Sequence, residues 1–289
     1  MNGILLIDKE PDWTSNDVVI KLKGILHERR IGHSGTLDPM ATGLLVVFVG
    51  RATRAVQFAE CDSKHYRAAL RLGITTDTQD ITGNILSRKN VSSTREELED
   101  VLKHFRGDIE QIPPMYSAIQ IGGKRLYDIA RKGGTVERAP RQVKIHALTV
   151  AGRDGEDWLL DVHCSKGTYI RTLCHDIGQA LGCGGCMSAL RRTEAGCFSV
   201  SDAITIGEAQ HLRDIGEIEN HLLPVDTLFS REKKCTASSG EERLIRCGTD
   251  YETTLADGVY RVYSETGSFL MLGKAESGTM KTIKNFFEV

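Results

Sequence analysis

The sequence predicts a mixed α/β chain with a small β module at its C-terminal end. Three observations carry this. Helix-like and strand-like spacings alternate from the N-terminus to about Asp226. The segment Leu44-Leu-Val-Val-Phe-Val49 is wholly apolar, the pattern of a strand buried on both faces. Beyond Asp226, short strand patterns and glycine turns replace the helical ones. At roughly 150 residues per domain, 289 residues make two domains, or a large one with a small one. A chain of that size buries a core without disulfides or metals. Hydrophobic residues at 40% and charged residues at 26% exclude collagen-like, fibrous and disordered classes. No apolar run approaches the ~20 residues of a membrane span. The N-terminal run, residues 1–8, lacks a basic flank and a small-residue cleavage site and is not read as a signal peptide.

Taken in order, residues 3–7 read as a short strand. Thr14, with Asp17 three residues on, approximates a capping box, and Val18, Val19, Leu22, Ile25 and Leu26 recur at helical spacing, predicting a helix over 15–29. Residues 31–43 hold three glycines and a proline, the mark of a structured loop, which delivers into the apolar strand 44–49. Residues 64–72 alternate, with His65, Arg67 and Arg71 on one face and Tyr66, Ala68, Leu70 and Leu72 on the other. Thr94 and Glu97 form a second capping box for a helix over 94–105. Pro113-Pro114 ends that region; 116–121 reads as a strand and 125–132 as a short helix. Residues 142–150 and 157–165 read as a hairpin across 152–155. Residues 168–181 read as a helix with Ile170, Leu173, Ile177 and Leu181 inward. Near the end, 259–263 and 269–272 read as a hairpin within a module of ~55 residues.

Charge is nearly balanced, with 37 Lys+Arg against 39 Asp+Glu, so the global net of −2 does not announce a nucleic-acid partner. The distribution is less even: residues 121–146 hold seven cations (Lys124, Arg125, Arg131, Lys132, Arg138, Arg141, Lys144) against Asp128 and Glu137. This is either a solvated charged face or a phosphate-contacting element. The eight cysteines form no disulfide framework in a chain of this length. Cys183-Gly-Gly-Cys186 has no second CxxC to complete a zinc site and follows a predicted helix, where a redox motif would precede one. P-loop, GxGxxG, HExxH and GxSxG patterns are absent from the sequence.

Four residues are candidates for chemistry, each with a plainer alternative. Asp38 sits in the 31–43 loop, restricted to extended backbone by Pro39; it is a reacting carboxylate or a turn starter. Arg171, at the third helical position if Thr168 caps, opposes the helix dipole beside inward-facing neighbours and therefore wants an anion, or it reaches back to solvent. Tyr66 is a core tyrosine or an aromatic platform for a base with a free hydroxyl. His33 is a hydrogen-bonding loop residue or part of the same site.

The loop Gly32-His-Ser-Gly-Thr-Leu-Asp-Pro-Met-Ala-Thr-Gly-Leu44 closely resembles the catalytic motif of the bacterial tRNA pseudouridine-55 synthase family, TruB type. Leu5-Leu-Ile-Asp-Lys9 with Thr14-Ser15 is similar to the family's N-terminal motif. Lys64-His-Tyr-Arg67, followed by Leu72-Gly73, Thr75-Thr-Asp-Thr78 and Asp80, resembles its tyrosine motif. Pro113-Pro-Met-Tyr-Ser-Ala118, with Gly123-Lys124 and Ala130-Arg131, resembles its thumb segment, and Cys164-Ser-Lys-Gly-Thr-Tyr-Ile-Arg-Thr-Leu173 its arginine motif, with Leu190-Arg-Arg-Thr193 after it. One departure is visible: in Asp8-Lys-Glu-Pro-Asp-Trp-Thr-Ser15 the proline has moved by one position and Asp12 stands where the family commonly has glycine.

The resemblance implies a catalytic domain over 1–226 built on a largely antiparallel sheet with flanking helices, a pseudouridine synthase-like fold. It also implies a thumb-like basic segment at about 113–146 and a PUA-like RNA-binding module over 233–289. It implies isomerisation of uridine 55 in the tRNA T arm, with breakage at N1 and rejoining at C5, and no cofactor or metal. Asp38 is then the nucleophile, acting at C6 of the base or through C1′ with a glycal intermediate. Arg171 pairs with it, and Tyr66 stacks on the base and takes a proton. His33 occupies the place vacated by the flipped nucleotide, and Leu190 forms an apolar wall. Lys124, Arg125, Arg131 and Arg141 of the basic segment, with Arg67, Lys166, Arg191 and Arg192, become phosphate contacts. The expected partner is the T stem-loop of tRNA, with no membrane and no protein partner, for a cytoplasmic monomer. Two other readings remain: an RNA-binding or RNA-folding protein that keeps the scaffold without catalysis, and a CxxC metal or redox protein.

Overall fold

The computed structural model describes residues 1–59, 63–117 and 119–287. Cys61, one of the eight cysteines, and Ala118 of the 113–118 motif lie outside the described residues. The elements run β1 (Gly3–Lys9), α1 (Ser15–Leu26), β2 (Ile31–Ser34), β3 (Thr42–Val49), β4 (Ser63–Leu72), β5 (Ile74–Thr76), β6 (Ile85–Arg88), α2 (Arg95–Leu102), β7 (Gly107–Gln111), β8 (Gln120–Ile121), β9 (Lys124–Arg125) and α3 (Leu126–Ala130). They continue with β10 (Arg141–Asp154), β11 (Asp157–Ser165), α4 (Ile170–Ala180), β12 (Gly185–Ala195), β13 (Phe198–Ser199), α5 (Ile206–Asp214), β14 (Lys233–Thr236), α6 (Ser239–Cys247), β15 (Tyr251–Glu252), β16 (Gly258–Tyr263), β17 (Phe269–Glu276) and β18 (Thr279–Asn285).

A nine-stranded sheet in the order β1-β3-β12-β4-β11-β10-β7, with β2 on β3 and β13 on β12, is drawn from residues between Gly3 and Ser199. Its pairs are antiparallel except β12 with β3, which run parallel and place Arg192 beside Gly43. The alternation in β4 decides its two faces. Tyr66, Ala68 and Leu70 join the core beneath α2 and α4, packed with Leu98, Leu173, Ile177 and Leu160. His65 and Arg67 point the other way. The apolar run of β3 is buried on both faces, as its composition requires. Leu45 and Val47 meet Val18, Leu22 and Leu26 of α1, while Val46 and Phe48 meet Val225, Phe229, Leu272 and Phe286.

Several boundaries differ from expectation for local reasons. Helix α1 stops at Leu26 because His27 turns to left-handed backbone, φ 51°. The expected 116–121 strand keeps only Gln120–Ile121, paired with Lys124–Arg125 in a tight hairpin. The 142–150/157–165 hairpin extends to Asp154 and turns on the next two residues. Thr168 does not cap α4: its hydroxyl donates back to Ser165 O at 2.9 Å, and Tyr169 is the N-cap, so Arg171 occupies the second helical position, not the third. The C-terminal module is a five-stranded sheet, β14-β16-β17-β18-β15, that also carries helix α6. Helix α5 and the inner strand β12 are not predicted from the sequence spacing.

Candidate active site

Residues Gly35 to Ala41 form the loop that presents Asp38, and the N-terminal segment fastens it from two sides. Ser15, buried at the start of α1, accepts from Leu37 N at 2.9 Å and donates to Leu37 O at 3.3 Å. Lys9, fully buried at the end of β1, donates from Nζ to Glu10 O (2.9 Å), Trp13 O (2.7 Å) and Pro39 O (3.0 Å). Burial pulls the Lys9 ammonium down to about 8, against the opposing pull of Asp12 and Asp38. Asp12 adopts left-handed backbone, φ 66°, and its N–H also donates to Pro39 O at 2.9 Å. The departure noted above thus falls at a position where glycine is at ease and aspartate is tolerated.

Asp38 meets Arg171 in a two-point ion pair: Nε to Oδ2 at 2.9 Å and Nη2 to Oδ1 at 3.2 Å. Arg171 is 5% exposed and is held along its whole rim. Its Nη1 donates to Thr78 O at 3.2 Å, its Nη2 to Tyr116 O at 2.7 Å, and Asp80 Oδ2 stands 3.7 Å from Nη1. Asp80 is buried and fixed by Thr78 Oγ1 at 2.8 Å and by Thr82 N at 3.0 Å and Oγ1 at 2.6 Å. Gln111 of β7 steadies the entry to α4, accepting from Tyr169 N at 3.0 Å. Burial displaces the Asp38 carboxyl upward from the usual carboxylate range; Arg171 opposes that displacement and Asp80 adds to it.

Tyr66 is buried in one core cluster with Leu37 and Ile170, the chain neighbours of Asp38 and Arg171, and with Ala41 and Leu190. Burial pushes its phenol up, while Arg192 pulls the other way. The Asp38 charge acts on the Tyr66 phenol, raising it further, and Leu190 belongs to the same core cluster as Tyr66. His33, half-buried in β2, has Nδ1 without a partner among the described residues; burial lowers its basicity, and Arg192 adds to that. Arg67 is engaged with Asp161 (3.0 Å) and Arg191 with Asp8 (2.6 Å), whereas Lys166 is exposed. Lys124, Arg125, Arg131 and Arg141 are exposed on the β8–α3 segment and the start of β10, away from the acid. There, Arg125 and Arg131 lie over the Tyr127 ring, 5.7 and 5.4 Å from its centroid, beside a groove of about 560 Å³ lined by Lys124, Arg125, Asp128 and Lys132. Cys183 and Cys186 are buried, and burial raises the Cys186 thiol to about 11, so it stays protonated at neutral pH, where metal binding or redox exchange wants a thiolate.

Asp80, Lys9 and Ser15 stand in the sequence only as members of motifs, with no role assigned to them there. The signal for Lys9 was a lysine closing an otherwise apolar strand, where solvation alone cannot account for it.

Residues 23–170 match the model of the TruB family pseudouridylate synthase N-terminal domain, and 171–230 that of the tRNA pseudouridylate synthase B C-terminal domain. The tRNA pseudouridine synthase B of Alkaliphilus oremlandii is 46% identical, covering 90% of this chain and 86% of the relative. That of Azoarcus sp. is 43% identical, covering 97% and 93%. That of Francisella tularensis subsp. novicida is 39% identical, covering 100% and 95%. Among solved structures, a Cbf5-Nop10-Gar1 complex superposes with a TM-score of 0.74 at 26% identity, covering 99% of this chain and 85% of that one.

Proposed function

This chain belongs to the TruB family of pseudouridylate synthases, and from that premise we propose that it isomerises uridine 55 in the T stem-loop of tRNA with Asp38 as nucleophile. Pseudouridine synthesis in tRNA is the activity that its relatives carry in their names. The observation that carries the assignment of roles is the two-point Asp38–Arg171 pair beside the buried Tyr66 ring.

The target base leaves its stack, at a cost of about a few kcal/mol, and stacks on Tyr66, which returns ~1–3 kcal/mol. Arg171 orients both oxygens of Asp38 and offsets the penalty of holding a carboxylate partly out of water. Asp38 attacks either C6 or C1′, and the C–O bond so formed breaks again before product leaves, returning the free carboxylate. The N1–C1′ bond breaks and the C5–C1′ bond forms. Tyr66 gives up its phenolic proton as N1 takes one up, and as the phenolate it accepts the proton that leaves C5, so the isomerisation balances without a cofactor. His33 fills the space that the base vacates, and Leu190 bounds the pocket as an apolar wall. Lys124, Arg125, Arg131, Arg141 and Lys166 supply countercharge for phosphates; Arg67 and Arg191 do so by exchanging their present carboxylates for the RNA. Residues 1–226 act as the catalytic domain, with 113–146 as its thumb, and 233–289 as a PUA-like RNA-binding module. The protein works as a cytoplasmic monomer.

A single-turnover assay on unmodified tRNA transcript tests this. Wild type makes pseudouridine at position 55, and Asp38→Asn makes none while its binding stays within a few-fold. Binding by wild type without product would instead establish the non-catalytic RNA-binding reading.

A further inference from the structure

We propose that Arg192 is a positioning residue of the reaction, its guanidinium stationed beside the Tyr66 phenol to receive the negative charge when that phenol gives up its proton. The proposal rests on the reading of Tyr66 as the group that carries the proton, and it names the residue that makes this role workable in a buried site.

Strand register brings the two together. In the antiparallel pair of β4 and β12, Tyr66 and Arg192 are direct partners. Partners across a sheet leave it on the same face, with Cβ atoms about 4.5–5.5 Å apart. Arg191, one residue earlier, is held by Asp8 instead. The phosphate contact that the resemblance implies for Arg192 does not fit its surroundings, because the side chain is 1% exposed and closed to an RNA backbone.

The guanidinium is aimed but only partly used. Its Nε donates to Leu44 O at 2.7 Å, which fixes the fork. The Asp38 loop closes over it: a Cβ built on Gly35 would stand 3.2 Å from Nη1. Nη1 and Nη2 are buried without a hydrogen-bond partner among the described residues. Unmet buried donors cost free energy in the resting site. Arg67, Arg171 and Arg191 each face a carboxylate. Arg192 acts on the Tyr66 phenol, by its charge and through side-chain contact, and both ease the loss of the phenolic proton.

A neutral phenol accepts hydrogen bonds weakly, and a phenolate accepts them strongly. The spare Nη donors therefore gain most at the moment the proton leaves. That is the condition for lowering a barrier rather than tightening the resting state. The surroundings make such help necessary. Burial holds the proton on Tyr66, and Asp38 from its loop and Cys164 of β11 add to that. Lys64 of β4 faces Cys164. Lys9 at the end of β1 and His33 in β2 both feel the Arg192 charge, which makes each less basic. The site thus has a cation for each anion that the reaction needs: Arg171 serves the Asp38 carboxylate, and Arg192 serves the Tyr66 phenolate.

The test places a tyrosine with fluorines on both carbons next to the hydroxyl, a more acidic phenol of nearly the same shape, at position 66 of the full chain. Its fluorine resonance follows the ionisation of that one phenol among seven tyrosines. Arg192→Met is expected to move the midpoint up by about one to three pH units, and Arg192→Lys by less. In single-turnover assays at saturating enzyme, Arg192→Met slows pseudouridine formation by about 100-fold, with RNA affinity within a few-fold of wild type. Fluorination of Tyr66 recovers a larger share of the rate in Arg192→Met and Arg192→Lys than in wild type, because the two groups act as one. An unchanged midpoint overturns the proposal, and so does a fluorination effect equal in all backgrounds. Should Arg192→Met fail to fold, the fluorination effect in Arg192→Lys against wild type decides. The fluorine titration needs no turnover. It therefore judges the Arg192–Tyr66 pairing even if wild type makes no pseudouridine at position 55, an outcome that removes the enzyme reading separately.

Discussion

Arg171 is shared by two carboxylates, Asp38 at 2.9 Å and Asp80 at 3.7 Å, and this division sets the acid's behaviour. Asp38 must be ionised to act as a nucleophile, and its carboxyl lies above the ordinary aspartate range because of burial, partly offset by Arg171. As pH falls it therefore gains its proton earlier than an exposed aspartate would. The acid limb of the single-turnover rate is expected at a higher pH than for an unperturbed aspartate. Asp80→Asn removes a neighbouring negative charge that pushes Asp38 up, so the midpoint of that limb moves to lower pH, as a pH–rate profile reads directly. Arg171→Lys keeps the charge but loses the fork that meets both oxygens and the carbonyls of Thr78 and Tyr116; a rate loss of about 100-fold or more is expected, with much smaller change in RNA affinity.

The loop that carries Asp38 is only as rigid as the elements that hold it. Lys9 reaches it from the end of β1, and its ammonium titrates near 8 in the folded chain against 10.5 for an ordinary lysine. The sign follows from proton counts. Between those two values the unfolded chain holds the proton and the folded chain does not, so this group makes stability rise with pH across that window; below it the full penalty of a buried charge is present. Lys9→Met abolishes that rise, as denaturant melts at pH 8 and 10 will show, and leaves Pro39 O with one donor fewer. At Gly43, where β3 begins beside β12, φ is +95° and a Cβ would lie 2.2 Å from Arg192 O. Gly43→Ala is expected to cost more than the ~1 kcal/mol of backbone preference alone, lowering the melting temperature. Asp12→Gly relieves a left-handed aspartate and stabilises by about 1 kcal/mol.

Across the whole molecule, one core joins the large sheet to the C-terminal module. Phe229 lies 5.6 Å from Phe58 and 5.8 Å from Phe286, and Phe286 stacks on Phe269 at 5.3 Å. The same cluster holds Val46 and Phe48 of β3 and Leu272 of β17. Phe286→Ala is expected to cost ~3–5 kcal/mol. Because the cluster is shared, calorimetry on wild type should show one transition; two well-separated transitions would mean that the module folds independently of the sheet.

The sequence by itself determined the alternating elements, the doubly buried β3, the capping boxes at Thr14 and Thr94, and the set Asp38, Tyr66 and Arg171 with its family resemblance. Each of these is written in local spacing or in a contiguous motif. The tertiary structure alone decided that Asp38 and Arg171, 133 residues apart, meet at two points; that Asp80 shares the same guanidinium; that Lys9 and Ser15 anchor the loop; and that Arg192, neighbour in sequence to the paired Arg191, is buried and donates to Leu44 O. Strand alternation sends adjacent side chains to opposite faces of a sheet, but what each face meets depends on strand order, and strand order is a property of the folded chain.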